Sequence, residues 1–191
     1  MKKVAIIIFL GIGLVLLWGI AAYNSLVSAQ EEVSSAWGQV ENVYQRRADL
    51  IPNLVASVKG YAKHEQSTFE AVINARARAL SVQGGDLSEG EIKEYQRAQG
   101  EVSSALGRLL VIAEDYPELK ANENFLDLQA QLEGTENRIA EARRLFNEAA
   151  KKYNRKVRFF PSNIIASMFG FETKGYFEAD ESARTAPKVE F

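Results

Sequence analysis

Residues 33–61, VSSAWGQVENVYQRRADLIPNLVASVKGY, decide the fold of this 191-residue chain. Apolar residues recur here in alternating steps of four and three, the spacing of helices whose side chains interlock along a seam. One charged residue, Arg47, occupies that seam, and Pro52 interrupts the segment near its middle. The seam consists of Val33, Trp37, Val40, Tyr44, Arg47, Ile51, Leu54, Val58 and Tyr61.

A proline inside a helix removes one backbone hydrogen bond and clashes with the carbonyl group one turn earlier, at a cost of about 3 kcal/mol. Pro52 therefore marks either a functional site or a built-in bend. We expect a bend, because proline is a common cause of sharp helix kinks. Arg47, Asp49 and Asn53 then have backbone or cross-helix partners around it.

Polar side chains follow two of the predicted helices and allow two interpretations. In the first, they form a solvent-exposed surface, where each ion pair contributes about 0–1 kcal/mol to stability. In the second, they form a partly buried network that fixes the register of two closely approaching helices. In the second case Arg46, Asp49 and Asn53 meet polar groups of the last long helix. The structural or interaction candidates are Arg46, Arg47, Asp49, Pro52, Asn53, Glu136, Arg143 and Asn147.

Three more helices follow the first. STFE, residues 67–70, has the form of a capping box and predicts a helix start. A third helix precedes Pro117, and Asn122 or Asn124 can cap a fourth that continues to Tyr153. Four helices with short connections and one apolar seam each predict an all-α fold, an antiparallel up-and-down four-helix bundle with long helices.

The N-terminus carries a predicted transmembrane helix. Residues 4–22 contain no charge and form about 28 Å of helix, enough to cross a hydrocarbon core. Lys2 and Lys3 precede this run and no further Lys or Arg occurs before Arg46, which predicts a cytoplasmic N-terminus. The alternative is a cleaved signal peptide ending near VSAQ, residues 27–30, but the apolar run is longer than such signals usually have. We expect an anchor at 1–23, a bundle at 24–172 and a loosely ordered tail at 173–191.

Composition argues against several classes of protein. The net charge of -2 disfavours nucleic-acid binding, and the chain has no cysteine for disulfides, thiolate metal sites or nucleophilic catalysis. Its single histidine, His64, lacks the second histidine of a zinc-protease motif, because Thr68 stands there. No glycine-rich phosphate loop opens a helix. We therefore expect no enzyme, no cofactor and no metal.

Several long blocks of the sequence resemble the LemA family of bacterial membrane proteins. They lie within residues 23–172 and read YNSLV, AWGQVENVYQRRADLIPNLVASVKGYAKHE, ARARA, YPELKANENFLDLQAQLEGTENRIAEARRLFNEAAKKYN and FPSNIIASMFGF. The resemblance implies one N-terminal span with a four-helix bundle outside it, and no established enzymatic activity. Phe146 departs from the family pattern, where a tyrosine is expected, and this puts only a hydroxyl contact in doubt.

These features favour a non-enzymatic scaffold or protein-interaction module of the bacterial envelope. We expect it in the cytoplasmic (inner) membrane, with the C-terminal domain periplasmic or extracellular. Its partners would be the lipid bilayer and either a second copy of itself, as a homo-oligomer, or another envelope protein. The alternative is an extracytoplasmic sensor that binds a small ligand or peptide, but only residues 1–3 would then lie on the cytoplasmic side to pass on a signal.

Overall fold

A computed structural model of the protein describes residues 2–82 and 84–179. These residues form helices and connecting segments, with no strand among them. The prediction of an all-α fold, with a long apolar N-terminal helix followed by a helical domain, is confirmed. The helices are α1 (Lys2–Tyr61), α2 (Gln66–Ser81), α3 (Glu89–Glu114), α4 (Pro117–Lys120), α5 (Glu123–Arg158) and α6 (Ser162–Phe169).

Helix α1 is a single element of 60 residues, about 90 Å long at 1.5 Å per residue. It passes from the apolar run into the helical domain without a break, and Pro52 lies inside it. Most side chains before residue 20 are exposed, whereas Leu26 is fully buried. Among the described residues, α1 is the one helix long and apolar enough to cross a membrane.

The predicted apolar seam of α1 is the core-facing side of the helix. It packs mainly along α5 and also meets α2, which itself lies along α3. Eight of its nine members are buried, and the ninth, Tyr61 at the end of the helix, is 38% exposed. Two apolar clusters fill the interior: one surrounds Val58 and Leu109 at the far end, and the other surrounds Trp37 and Phe146 nearer the apolar run.

The helix starts only partly follow the local sequence signals. Asn122 caps α5 as predicted, accepting a hydrogen bond from the backbone N–H of Phe125 at 3.1 Å. The capping box expected at Ser67 does not form, because α2 already begins at Gln66 and Ser67 lies within its first turn. A complete capping box occurs instead at α3, where the Ser88 hydroxyl and the Glu91 carboxylate bond to each other's backbone N–H groups.

The chain turns back after α5. The Phe160–Pro161 peptide bond is cis, and α6 follows it directly. Gly170 ends α6 with a φ of 72°, a left-handed conformation that glycine adopts without strain. Residues 171–179 are not helical and lie against the first part of α3 and the middle of α5.

Candidate functional site

A buried arginine joins α1, α3 and α5. Arg47 Nη1 donates to Glu136 Oε1 at 2.8 Å and to Ser103 Oγ at 2.9 Å. Its Nη2 donates to Gln99 Oε1 at 2.7 Å and to the Gln99 carbonyl oxygen at 3.1 Å. The Arg47 side chain is 2% exposed, whereas that of Glu136 is 46% exposed. We call these four residues the Arg47 cluster, which ties three helices together by hydrogen bonds from a charged donor.

Aromatic rings and a small cavity surround this cluster. Arg47 Cζ lies 5.0 Å from the centroid of the Tyr44 ring, within the range of a cation–π contact. The Tyr44 ring meets Tyr95 edge to face at 5.4 Å. Burial raises the pKa of Tyr95 well above its usual value, so its hydroxyl stays protonated at physiological pH. A cavity of about 340 Å³ with a largely polar lining opens beside Arg47.

The remaining polar candidates of α1 face the solvent. Arg46, Asp49 and Asn53 are all exposed, and Asp49 accepts a hydrogen bond from Gln45 of the same helix at 2.8 Å. The structure thus matches the first of the two interpretations for these three residues, a solvent-exposed surface, and shows no network between them and α5. At 3.6 residues per turn, their stripe lies about 100–160° around the helix from Arg47, the residue that faces α5.

Pro52 lies within α1 and is exposed. Because proline has no N–H, the carbonyl group four residues earlier lacks its usual helical hydrogen bond. A residue with an N–H at position 52 would donate to the Ala48 carbonyl oxygen, but proline cannot. Arg76 of α2 takes this place, because its Nε donates to the Ala48 oxygen at 2.8 Å. Pro52 thus creates a free backbone acceptor on α1, and that acceptor holds α2.

Three side-chain amides, one from α3 and two from α5, hold the backbone of residues 174–178. Each amide accepts from the N–H and donates to the carbonyl oxygen of the same residue: Asn154 binds Lys174 at 2.8 and 2.8 Å, Asn147 binds Phe177 at 2.9 and 2.9 Å, and Gln96 binds Glu178 at 3.0 and 3.1 Å. We call Gln96, Asn147 and Asn154 the amide groove and residues 174–178 the docked segment.

Further contacts fix the position of the docked segment. The Gly175 N–H donates to the Leu87 carbonyl oxygen at 2.8 Å, and a Cβ at Gly175 would lie 2.7 Å from Glu89 Cα, so only glycine fits there. The Phe177 side chain, 5% exposed, stacks on Trp37 and meets Phe146 edge to face. Arg143 lies over the Phe177 ring at 5.0 Å and donates to the Glu178 carbonyl oxygen at 2.8 Å.

The sequence-predicted candidates therefore fall into separate places. Arg47 and Glu136 meet in the Arg47 cluster, whereas Arg143 and Asn147 bind the docked segment. Sequence reasoning missed Gln99, Ser103, Gln96 and Asn154 as functional groups. Residues 174–178 of the expected loose tail, 173–191, are bound to the helices in this way, and residues 180–191 lie outside the described residues.

Side chains suited to acid–base or metal chemistry do not converge within residues 2–82 and 84–179. No three His, Asp or Glu side chains there could hold a metal ion. His64 is exposed in the turn after α1. The arrangement is suited to binding: it offers one buried guanidinium with protein partners and a groove that binds main-chain atoms.

Comparison with known proteins shows where similar chains occur. A family model described as the LemA family matches residues 36–191. Two curated relatives are magnetosome proteins: MamQ 2 of Paramagnetospirillum magneticum and MamQ of Magnetospirillum gryphiswaldense. Each is 28% identical in an alignment 182 residues long that covers 85% of this chain and 67% of the relative. Protein LemA of Metamycoplasma hominis is 25% identical over 161 residues, or 84% of this chain and 71% of the relative.

Proposed function

The chain belongs to the LemA family, and we propose that it is a single-pass, membrane-anchored scaffold of the bacterial envelope that binds proteins and carries out no catalysis. The observation that carries this proposal is the amide groove, which recognises a peptide segment by its backbone.

The anchor of this proposal is the apolar part of α1. The large apolar side chains of residues 4 and 6–20 are exposed, and the charge-free run 4–22 forms about 28 Å of helix, which fits the hydrocarbon core of the cytoplasmic membrane. Lys2 and Lys3 favour a cytoplasmic N-terminus, and the helical domain then lies in the periplasm or outside the cell. Because α1 continues unbroken to Tyr61, the domain is held at a fixed height above the bilayer.

The amide groove supports peptide binding as the activity of the domain. Its paired hydrogen bonds go to main-chain N–H and C=O groups, and Asn154 also donates to the Tyr176 hydroxyl at 2.9 Å. The pairing resembles the addition of a strand to a sheet edge, where backbone bonds supply affinity and side-chain pockets supply specificity. Selectivity would come from two positions. Gly175 permits the close approach to Glu89, and the ring of Phe177 fills the pocket formed with Trp37 and Phe146.

The partner that best fits the groove is a second copy of the chain. Every copy carries both the groove and the matching segment, and exchange of an identical segment between copies is a low-cost route to oligomers. Anchoring in one membrane would place the grooves of neighbouring copies at the same height. Another envelope protein with glycine and an aromatic residue at the same spacing would use the same contacts.

The alternative function, a sensor for a small ligand, has weaker support. It would rely on the cavity of about 340 Å³ beside Arg47. Four hydrogen bonds of the Arg47 guanidinium already go to protein acceptors, which leaves little of this group for a ligand. The proposed function therefore assigns the Arg47 cluster a structural role.

The test uses two full-length variants with different affinity tags, purified in detergent. The groove-defective variant carries Asn147→Ala with Asn154→Ala, and the segment-defective variant carries Gly175→Val with Phe177→Ala. The first offers a free segment and the second an empty groove, so we expect a mixed complex to co-purify while each variant alone stays monomeric.

A chain with all four substitutions is the matched control and should bind neither variant. A labelled peptide of residues 172–179 provides a second measurement, because it should bind the segment-defective variant and not the groove-defective one. Absence of both the mixed complex and peptide binding, with helical circular dichroism retained, would refute the proposed function.

A further inference from the structure

Residues 159–169 expose an unusual density of large apolar side chains outside α1. Soluble domains rarely leave such groups together at the surface, and contiguous apolar patches of this kind mark interaction or membrane sites. Five side chains of this segment are at least half exposed: Phe159 57%, Phe160 81%, Ile164 50%, Met168 69% and Phe169 58%.

This segment lies beside the apolar run of α1. Ile165 Cδ1 approaches Gly19, where a Cβ would be 3.8 Å away, and the ring of Phe169 meets that of Tyr23 edge to face at 4.8 Å. An apolar cleft of about 590 Å³ separates α6 from residues 15–23 of α1. At 1.5 Å per residue, α6 therefore lies alongside the last ~12 Å of the predicted span.

We propose that α6, with Phe160 before it, inserts into the outer leaflet of the bilayer, as a second membrane contact beside the spanning helix. This inference rests on the proposed anchoring of α1. If residues 4–22 cross the hydrocarbon core, a helix packed against residues 15–23 lies at the same depth, and its exposed side chains face acyl chains. The cleft between the two helices is then filled by lipid.

Polar groups mark the upper boundary of this contact. The last turn of α5 places Arg155, Lys156 and Arg158 directly before the apolar segment. Lys156 Nζ donates to the Ser25 hydroxyl at 2.8 Å and to its carbonyl oxygen at 3.1 Å, two residues beyond Tyr23 on α1. Long cationic side chains at a membrane surface keep their charge in the headgroup layer and attract anionic lipid. The bilayer surface thus lies near Ser25, and the aromatic ring of Tyr23 lies at the interface.

The absence of native cysteine allows a direct measurement of depth. Three single-cysteine variants of the full chain, Leu14→Cys, Met168→Cys and Val111→Cys, replace side chains that are 69%, 69% and 68% exposed. Each variant is labelled with an environment-sensitive dye and reconstituted into vesicles of phosphatidylcholine and phosphatidylglycerol. Quenching by lipid-attached nitroxide reports contact with acyl chains, and quenching by aqueous iodide reports contact with water.

We expect the label at position 168 to lose most of its fluorescence to the lipid nitroxide, as at position 14, and to resist iodide. The label at position 111, on α3, should show the opposite pattern. If position 168 behaves like 111 while 14 is quenched by lipid, the anchor stands and the inference about α6 is wrong. If position 14 also behaves like 111, the proposed anchoring fails and the inference fails with it. Ile164→Cys on the same helix repeats the measurement with a second side chain.

Discussion

Replacing Arg47 by alanine should lower the stability of the helical domain more than any change at its exposed neighbours. Arg47 is 2% exposed and makes four hydrogen bonds to Gln99, Ser103 and Glu136. Removal of its two buried methylene groups beyond Cβ costs about 1.6 kcal/mol at ~0.8 kcal/mol each. Gln99 is 7% exposed, and its side-chain oxygen loses its Arg47 donor, which costs about 1–3 kcal/mol more. The Gln99 carbonyl oxygen still accepts from Ser103 Oγ at 3.4 Å.

The carboxylate of Glu136 limits the loss. It is 46% exposed and regains water when Arg47 is removed, so the full penalty for orphaning a buried ion does not apply. The total is therefore about 3–5 kcal/mol. For a domain of this size about 2–4 °C corresponds to 1 kcal/mol, so Tm should fall by about 10 °C. Arg47→Met keeps most of the packing volume and should lower Tm by about half as much.

Thermal unfolding of the full chain in detergent, followed by far-ultraviolet circular dichroism, measures these differences. Arg46→Ala is the matched control, because Arg46 is the adjacent arginine and is exposed. A surface substitution of this kind should change stability by no more than about 0.5 kcal/mol. If Arg47→Ala and Arg46→Ala unfold at the same temperature, the Arg47 cluster does not stabilise the fold and the reasoning from its contacts is refuted.

Three further experiments test other parts of the structure. Arg76→Met should lower the free energy of unfolding by about 1–2 kcal/mol, because the Ala48 carbonyl loses its donor. The decrease should be smaller in a Pro52→Ala background, where the restored N–H of residue 52 bonds to the Ala48 carbonyl. Additive effects of the two substitutions in this double-mutant cycle would contradict the account of Pro52. In a Trp18→Phe background, which leaves Trp37 as the one tryptophan of the sequence, Gly175→Val should detach the docked segment and shift the fluorescence to the red. Gly107→Ala is the control, because Gly107 lies in a helix and no atom is within 4 Å of the new Cβ. It should leave the fluorescence spectrum unchanged and raise Tm. Identical spectra for the Gly175 and Gly107 variants would count against the close contact between Gly175 and Glu89. A cysteine at Val111 should react with an impermeant maleimide in intact spheroplasts, and reaction only after lysis would place the domain in the cytoplasm.

The sequence predicts the seam of α1 well because helical periodicity is a local property. It also identifies Arg47, since a charged residue on an apolar seam must find a partner when it is buried. It does not identify Gln99 and Ser103 as two of those partners. Their arrival at Arg47 depends on the rotation and register of α3, which the spacing of apolar residues along α3 leaves open.

The amide groove was harder to predict because its occupant has no periodicity. The polar stripe of α5 contains Asn147 and Asn154, but a polar stripe by itself is typical of a solvent-exposed helix face. The only local indication is the run of Gly175, Tyr176 and Phe177 in an otherwise polar stretch.

Helix capping also depends on structure that the local sequence does not specify. Ser67 and Ser88 each precede a glutamate by three residues, yet a capping box forms only at Ser88, because the connection from α1 starts α2 one residue before Ser67.

Pro52 and Arg47, the two residues that break the local rules of helix α1, are both explained by partners on other helices. The acceptor that Pro52 leaves free on Ala48 is used by Arg76 of α2, and the charge of Arg47 is met from α3 and α5. Both contacts fix the rotation of neighbouring helices around α1, which a purely apolar seam would specify less strictly. Since α1 is also the membrane anchor in the proposed function, the same contacts set how the amide groove is presented above the bilayer. Weakening them should therefore impair association between anchored copies before it unfolds the domain.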